Sequence, residues 1–226
     1  VLFDALSLKH IARPPLSPTG KRPRLLLMLH GVGSNERDLF PLAAELDPRF
    51  YVLSLRGPYQ LAPDQFGWYE LAFTPGGFEY DPAQVEASRR KLAGFVDEAI
   101  EHYQAADRVY LFGFSQGATL SLTLLLTEPS RLAAVVAVAG RTLPELFQAS
   151  TPLSGRLAEA SELKGHSLFL AHGVADRISP VAYGRQASKL IERSPVDMTY
   201  REYDMDHTIG PQCLKEIAAW LGGQMA

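Results

Sequence analysis

The pentapeptide Gly113-Phe114-Ser115-Gln116-Gly117 constrains the fold of this chain more than any other segment. An apolar run, Val109-Tyr110-Leu111-Phe112, leads into it, and a leucine-rich stretch follows. The three pieces read as strand, sharp turn and helix. A G-x-S-x-G turn in that setting holds its serine on a strained elbow, with the hydroxyl pushed out at the top of a sheet. Glycine at 113 and 117 keeps side chains out of the tight passage and takes unusual backbone angles at little cost. A five-residue pattern with three fixed positions arises by chance, so the strand-and-helix context is what makes Ser115 a candidate nucleophile.

A serine hydroxyl is a poor nucleophile at neutral pH and needs a base, which in turn needs an orienting group. The elbow therefore predicts an acid and then a histidine further along the chain. Asp176 lies just past the apolar strand-like run Leu168-Phe169-Leu170-Ala171 and its His172-Gly173 turn. His207 follows another strand-like segment, Met198 to Tyr203. Three suitable groups thus follow three successive strands, at the edge where open α/β sheets bind ligands.

The chain has six histidines, so the base has competitors. His10 and His102 fall in an N-terminal strand-like piece and at a helix end, where solvated surface roles are expected. His30 and His172 sit in His-Gly pairs at strand ends, a placement that serves loop hydrogen bonding. His166 precedes its strand, at the wrong edge. His207 is left. Asp204 and Asp206 are nearer to it in sequence, but an adjacent carboxylate does not readily turn back to orient the neighbouring ring, which favours Asp176.

The chemistry also needs two backbone N–H groups aimed at the oxyanion. One is expected from Gln116, at a helix N-terminus where the dipole favours an anion. The other is expected from Val32, in the loop Gly31-Val32-Gly33-Ser34-Asn35 after the strand Arg24 to Leu29.

The rest of the chain alternates strands and helices without a repeat, linker or low-complexity tract, and residues 1–226 read as one domain. The N-terminus to about His10 is expected as an antiparallel lead-in strand. Asp38 is expected to cap a helix carrying Leu39, Leu42, Ala43 and Leu46 on one face. Phe50 to Leu55 and Leu132 to Val138 read as strands. Asp81-Pro82 opens a long helix through Tyr103, and Gly210-Pro211 opens the closing one. Such alternation implies an α/β fold, a mostly parallel central sheet with helices on both faces.

Two connections, 57–81 and 141–165, are too long to be turns and are expected to border the site. The first carries Phe66, Trp68, Tyr69, Phe73, Phe78 and Tyr80. These six either line an apolar acyl pocket or anchor the loop to the domain. Neither connection is long enough for a large lid domain, so a fairly open cleft is expected.

Taken together, these segments resemble the phospholipase/carboxylesterase family of α/β-hydrolases, which includes acyl-protein thioesterases and small bacterial carboxylesterases. The matching pieces are Leu29 to Gly33 with Glu36-Arg37-Asp38-Leu39, Arg56-Gly57-Pro58, Gly67-Trp68-Tyr69-Glu70-Leu71, Gly113 to Gly117, His172 to Asp176 and Asp206-His207-Thr208-Ile209. They run in family order over nearly the whole chain. The resemblance implies Ser115 as nucleophile, Asp176 as orienting acid, His207 as general base, and Val32 and Gln116 as oxyanion donors. It also favours Trp68 as a pocket-facing residue and places Leu143 beside the acyl chain. Two positions depart from the pattern: Asp206 stands where glycine is frequent, and Ser179 where valine is. Neither removes a catalytic group, and Asp206 is expected to point to solvent.

Composition bounds the remaining choices. A chain of 226 residues, 46% hydrophobic, can bury one substantial core. With 22 basic and 25 acidic residues it shows no basic stripe for nucleic acid and no lysine-rich amphipathic helix for a membrane surface. A lone cysteine, Cys213, excludes an internal disulfide and is expected to be a packing residue. No signal segment or membrane-spanning run is seen. Cytoplasm is the default, and the start at Val1 leaves open whether a leader was removed. No metal or organic cofactor is implied. Some members of the family self-associate, so a homodimer is one assembly the resemblance allows.

The expected activity is that of a serine carboxylesterase on short- to medium-chain esters of small molecules. A lysophospholipase or acyl-protein thioesterase is the alternative within the family. A non-catalytic binding protein on the same fold is the third reading, disfavoured by the intact nucleophile, acid, base and donor loops.

Overall fold

Apolar runs separated by glycine, proline and charged turns become strands of one sheet in the computed structural model, which describes residues 1–18, 22–74, 77–148, 153 and 156–225. The strands are β1 (Leu2–Phe3), β2 (His10–Arg13), β3 (Arg24–Leu29), β4 (Phe50–Leu55), β5 (Tyr59–Ala62), β6 (Gln65–Gly67), β7 (Leu71–Thr74), β8 (Gly77–Tyr80), β9 (Val109–Phe114), β10 (Leu132–Val138), β11 (Ser167–Gly173) and β12 (Asp197–Tyr203). Eight of them form the central sheet in the order β1-β2-β4-β3-β9-β10-β11-β12. At one edge β2 pairs antiparallel with both its neighbours, β1 and β4, and all the other pairings are parallel. The lead-in pairing is carried by His10 to Arg13 against Val52 to Leu55, later in the chain than the sequence suggests.

Parallel central strands are buried on both faces, and alternate residues therefore feed two cores. Leu25, Leu27 and Leu29 of β3 and Val135 and Ala137 of β10 join the core under α1 (Pro82–His102), α2 (Gln116–Thr127) and, past the short α3 (Ala160–Leu163), α4 (Ala182–Ile191). Leu26, Met28, Val136 and Val138 face the other way, onto Cys213, Ile217 and Leu221 of α5 (Pro211–Gly223). Helices thus cover both faces, as the alternation predicts.

The long helix α1 starts where its sequence signals place it, with the Asp81 side chain accepting from the Ala83 N–H at 2.8 Å. Asp38 does not play that part. Phe40–Glu45 is a 3-10 helix whose N-cap is Leu39, without a side-chain cap. Asp47-Pro48 stops the segment after one short stretch, and the residue before proline is pushed out of helical angles.

The described residues of 57–81 are more ordered than a loop. They form two antiparallel hairpins, β5–β6 and β7–β8. His10 is also unlike the expectation of a solvated residue: it is buried, with Nε2 2.6 Å from the Tyr103 hydroxyl and Nδ1 3.0 Å from the Leu8 carbonyl. No helix among the described residues is long and apolar enough to cross a membrane.

Cys213 is fully buried in α5, and burial pushes its thiol up to about 12. A thiol reacts as its thiolate. The native protein is therefore expected to resist a thiol reagent at pH 8 and to take up one equivalent only after denaturation. Rapid labelling of the folded chain would contradict that packing.

Candidate active site

Ser115 sits between β9 and α2 at φ 54 and ψ −113, angles that a non-glycine residue rarely adopts. Two glycines make the passage possible. A Cβ on Gly113 would lie 2.5 Å from the Gly117 carbonyl oxygen, and one on Gly117 would fall on the Leu29 carbonyl. The strain is held by the surroundings: the Ser115 N–H donates to Val138 O at 2.8 Å, and its carbonyl accepts from Thr119 N at 3.0 Å.

From this elbow the Ser115 Oγ lies 2.9 Å from His207 Nε2, and His207 Nδ1 lies 2.7 Å from Asp176 Oδ2. The three residues come from the carboxyl ends of β9, β11 and β12 and are brought within hydrogen-bond reach across the sheet edge. Asp176 is nearly fully buried. Its other oxygen, Oδ1, accepts the Ile178 N–H at 2.9 Å and the Ser179 N–H at 2.7 Å. Those donors stabilise the carboxylate and fix its plane.

A second imidazole lies close by. His172 Nε2 is 3.6 Å from Asp176 Oδ2 and 2.7 Å from the Ser179 carbonyl, to which it donates. Nδ1 then carries no proton and faces Gly184, where a Cβ would lie 2.6 Å away. Burial lowers its pKa, so the ring is neutral and leaves Asp176 to His207. Ser179 contributes its backbone to both neighbours, contacts that do not depend on the identity of its side chain. Asp206 is exposed, pointing to solvent.

The Val32 loop is tied down from several sides. Gly33 N donates to Phe66 O at 2.8 Å and Phe66 N to Ser34 O at 2.7 Å, so the β5–β6 hairpin pairs with it. His30 accepts from Gly57 N at Nε2 (3.0 Å) and donates from Nδ1 to Gly31 O (2.6 Å). Arg56 binds the fully buried Glu36 through two bonds of 2.6 and 2.8 Å and stacks on Phe66.

Burial alone would push the Glu36 carboxyl up, but the Arg56 bonds outweigh it and hold the group below its usual range. Its stabilising contribution is thus present above the unfolded value of about 4.3 and is lost as pH falls through the lower folded value. Glu36→Gln is expected to cost about 3–5 kcal/mol at pH 7 and to flatten the loss of stability that sets in below about pH 5. Urea unfolding at several pH values checks both; an unchanged acid limb would contradict the role assigned to the pair.

Above Ser115 lies a cavity of about 400 Å³ lined by Gly31, Val32, Tyr69, Leu71, Phe78, Phe114, Gln116, Thr119, Arg141, Ile178 and His207, among others. Both expected oxyanion residues, Val32 and Gln116, reach it. Trp68 and Leu143 do not. Trp68 is fully buried, with Nε1 donating to His30 O at 3.0 Å and its backbone N–H donating to the Gln116 side chain at 2.7 Å. An indole wedged behind the Val32 loop gains both burial and a partner for its N–H. Leu143 packs into the core beneath α2. The aromatic cluster therefore divides: Tyr69 and Phe78 line the cavity, Phe66 and Trp68 anchor loops, and Tyr80 donates to Glu145 at 2.8 Å. The Phe73 side chain, and residues 149–152, 154 and 155 of the second connection, lie outside the described residues.

The sequence reading singles out neither Thr119 nor Arg141 as a cavity residue. Spacing exposes Thr119, one helical turn beyond Ser115. Arg141 follows β10 at the same sheet edge, and a cation there is signal enough to be noticed. Among the described residues no cluster of histidine, cysteine and carboxylates has the makings of a metal site.

Comparison with known proteins adds to this geometry. A model of the Phospholipase/Carboxylesterase family matches residues 16–223. A putative hydrolase, MhqD, of Bacillus subtilis is 24% identical over 89% of this chain and 94% of its own. Acyl-protein thioesterase 1 of Aspergillus fumigatus is 25% identical over 92% of each. Among solved structures, the Bacillus cereus carboxylesterase superposes with a TM-score of 0.79 at 25% identity, covering 96% of this chain and 94% of that one. A carboxylesterase from Mesorhizobium loti gives 0.81 at 23% identity, covering 99% and 98%. The fold is that of an α/β-hydrolase.

Proposed function

The chain belongs to the phospholipase/carboxylesterase family of α/β-hydrolases, and from that premise we propose that it is a serine carboxylesterase hydrolysing short- to medium-chain esters of small molecules through an acyl-enzyme on Ser115. The observation that carries this reading is the hydrogen-bonded series Ser115, His207, Asp176, of which Ser115 and His207 line the cavity. His207 takes the Ser115 proton as Oγ attacks the ester carbonyl, while Asp176 stabilises the imidazolium that forms. The Val32 and Gln116 N–H groups hold the oxyanion, the latter assisted by the N-terminal dipole of α2. His207 then gives its proton to the departing alcohol, and water repeats the sequence to release the acid.

A cavity of about 400 Å³ is at the smaller end of ligand sites, which supports a compact ester over a long acyl chain. Hydrolysis rates across p-nitrophenyl esters from acetyl to palmitoyl test this, with labelling of Ser115 by a fluorophosphonate alongside. A short or medium optimum and a single labelled serine are expected. A palmitoyl optimum would instead favour the lysophospholipase or acyl-protein thioesterase reading. Absence of both labelling and turnover would leave a binding protein on a hydrolase fold.

A further inference from the structure

Arg141 is a cation placed in the wall of an otherwise largely apolar cavity. Its guanidinium carbon lies 4.3 Å from the ring centre of Phe78, 5.3 Å from that of Tyr80 and 5.5 Å from that of Tyr183. Its backbone N–H is directed to Thr119 Oγ1 at 3.3 Å. The side chain makes no hydrogen bond or ion pair among the described residues. Three other arginines that are buried or half-buried are treated differently: Arg56 is paired with Glu36, Arg49 with Asp47, and Arg89 with Glu86 and Glu128. Two carboxylates stand near the cavity. Asp38 is exposed at its rim, and Glu145 receives the Tyr80 hydroxyl.

We propose that Arg141 is a specificity determinant that binds a carboxylate carried by the substrate, so that the preferred ester is anionic. The proposal deepens the esterase reading and rests on it for the reaction, though not for the binding. Stacking on aromatic faces satisfies the flat sides of a guanidinium and leaves its edge N–H donors available, in a fork that matches a carboxylate. Apolar walls raise the value of that pairing, because little water competes for it. They also set a penalty on the alternative. An alkyl chain pressed against Arg141 would strip water from the charge and offer it no acceptor. Selectivity of this kind comes as much from rejecting the neutral analogue as from binding the charged one.

Two matched ester pairs test the assignment. Mono-p-nitrophenyl glutarate against p-nitrophenyl valerate places the carboxylate in the acyl half, and 4-acetoxybutanoate against butyl acetate places it in the alcohol half. The wild-type protein is expected to prefer the anionic member of at least one pair by about 10- to 100-fold in kcat/KM, the range for a hydrogen bond to a charged group. Arg141→Gln is expected to collapse that ratio, and Arg141→Lys to retain part of it. Added salt should reduce it as well. The pair that responds identifies the half of the substrate that Arg141 reads.

Binding is read separately, as the Kd for glutarate on Ser115→Ala with and without Arg141→Gln, with an increase of at least about tenfold expected. No anionic preference in either pair, or a preference untouched by Arg141→Gln, would overturn the assignment. Loss of turnover on all four esters with glutarate binding still dependent on Arg141 would overturn the esterase reading and leave this one standing.

Discussion

Replacing Ser115 with alanine is expected to lower kcat on any ester the protein hydrolyses by about a millionfold, the scale seen when a serine hydrolase loses its nucleophile. The loss follows from the single atom removed. Among the described residues it is the Ser115 Oγ that stands 2.9 Å from His207 Nε2, on the strained elbow between β9 and α2. Alanine keeps the backbone bonds to Val138 and Thr119 and bears the same positive φ as serine does. Stability should therefore change by less than about 1 kcal/mol. Initial rates and urea unfolding on the same preparation separate the two effects. Turnover within tenfold of wild type would remove Ser115 from the mechanism, and a large loss of stability would make the rate uninterpretable as chemistry.

The elements legible in the sequence are those whose signal is local. Leu132 to Val138 is a strand because an apolar, β-branched run fits a sheet buried on both faces, and the Asp81 cap needs only its own first turn. Ser115, Asp176 and His207 can be picked out because each follows an apolar run, and the carboxyl ends of parallel strands meet at one edge. What is not legible depends on partners far along the chain. Trp68 lies in the segment that resembles the family, yet its indole is held by the His30 carbonyl and its backbone by the Gln116 side chain, 38 and 48 residues away. Leu143 and His10 are decided the same way, by the core under α2 and by Tyr103. The two hairpins of residues 57–81 are hidden by their glycines and prolines, which mark turns without saying what they join. Arg141 shows the converse. Its residue type is visible at once, but its meaning comes from three rings in β8 and α4 that no local pattern brings together.

Asp176→Asn is expected to reduce kcat by about ten-thousandfold with little change in substrate binding, and the reason lies in the two backbone donors rather than in lost charge alone. Ile178 N–H and Ser179 N–H both point at Oδ1. An asparagine must place its carbonyl oxygen there, since its NH2 would meet two donors. The NH2 is thereby turned to the Oδ2 position, 2.7 Å from His207 Nδ1. Two N–H groups cannot face each other, so the imidazole adopts the tautomer with its proton on Nε2. That nitrogen then presents a donor to Ser115 Oγ and has no lone pair to accept the serine proton. The base is still in place, but in the wrong form. His172 offers no rescue, because its Nε2–H is committed to the Ser179 carbonyl. Asp176→Glu, which keeps the acceptor but displaces it, should lose far less than the asparagine variant if tautomer control is what Asp176 supplies. Equal losses in the two variants would show that position, not proton direction, sets the rate; an asparagine variant within tenfold of wild type would remove Asp176 from the relay altogether.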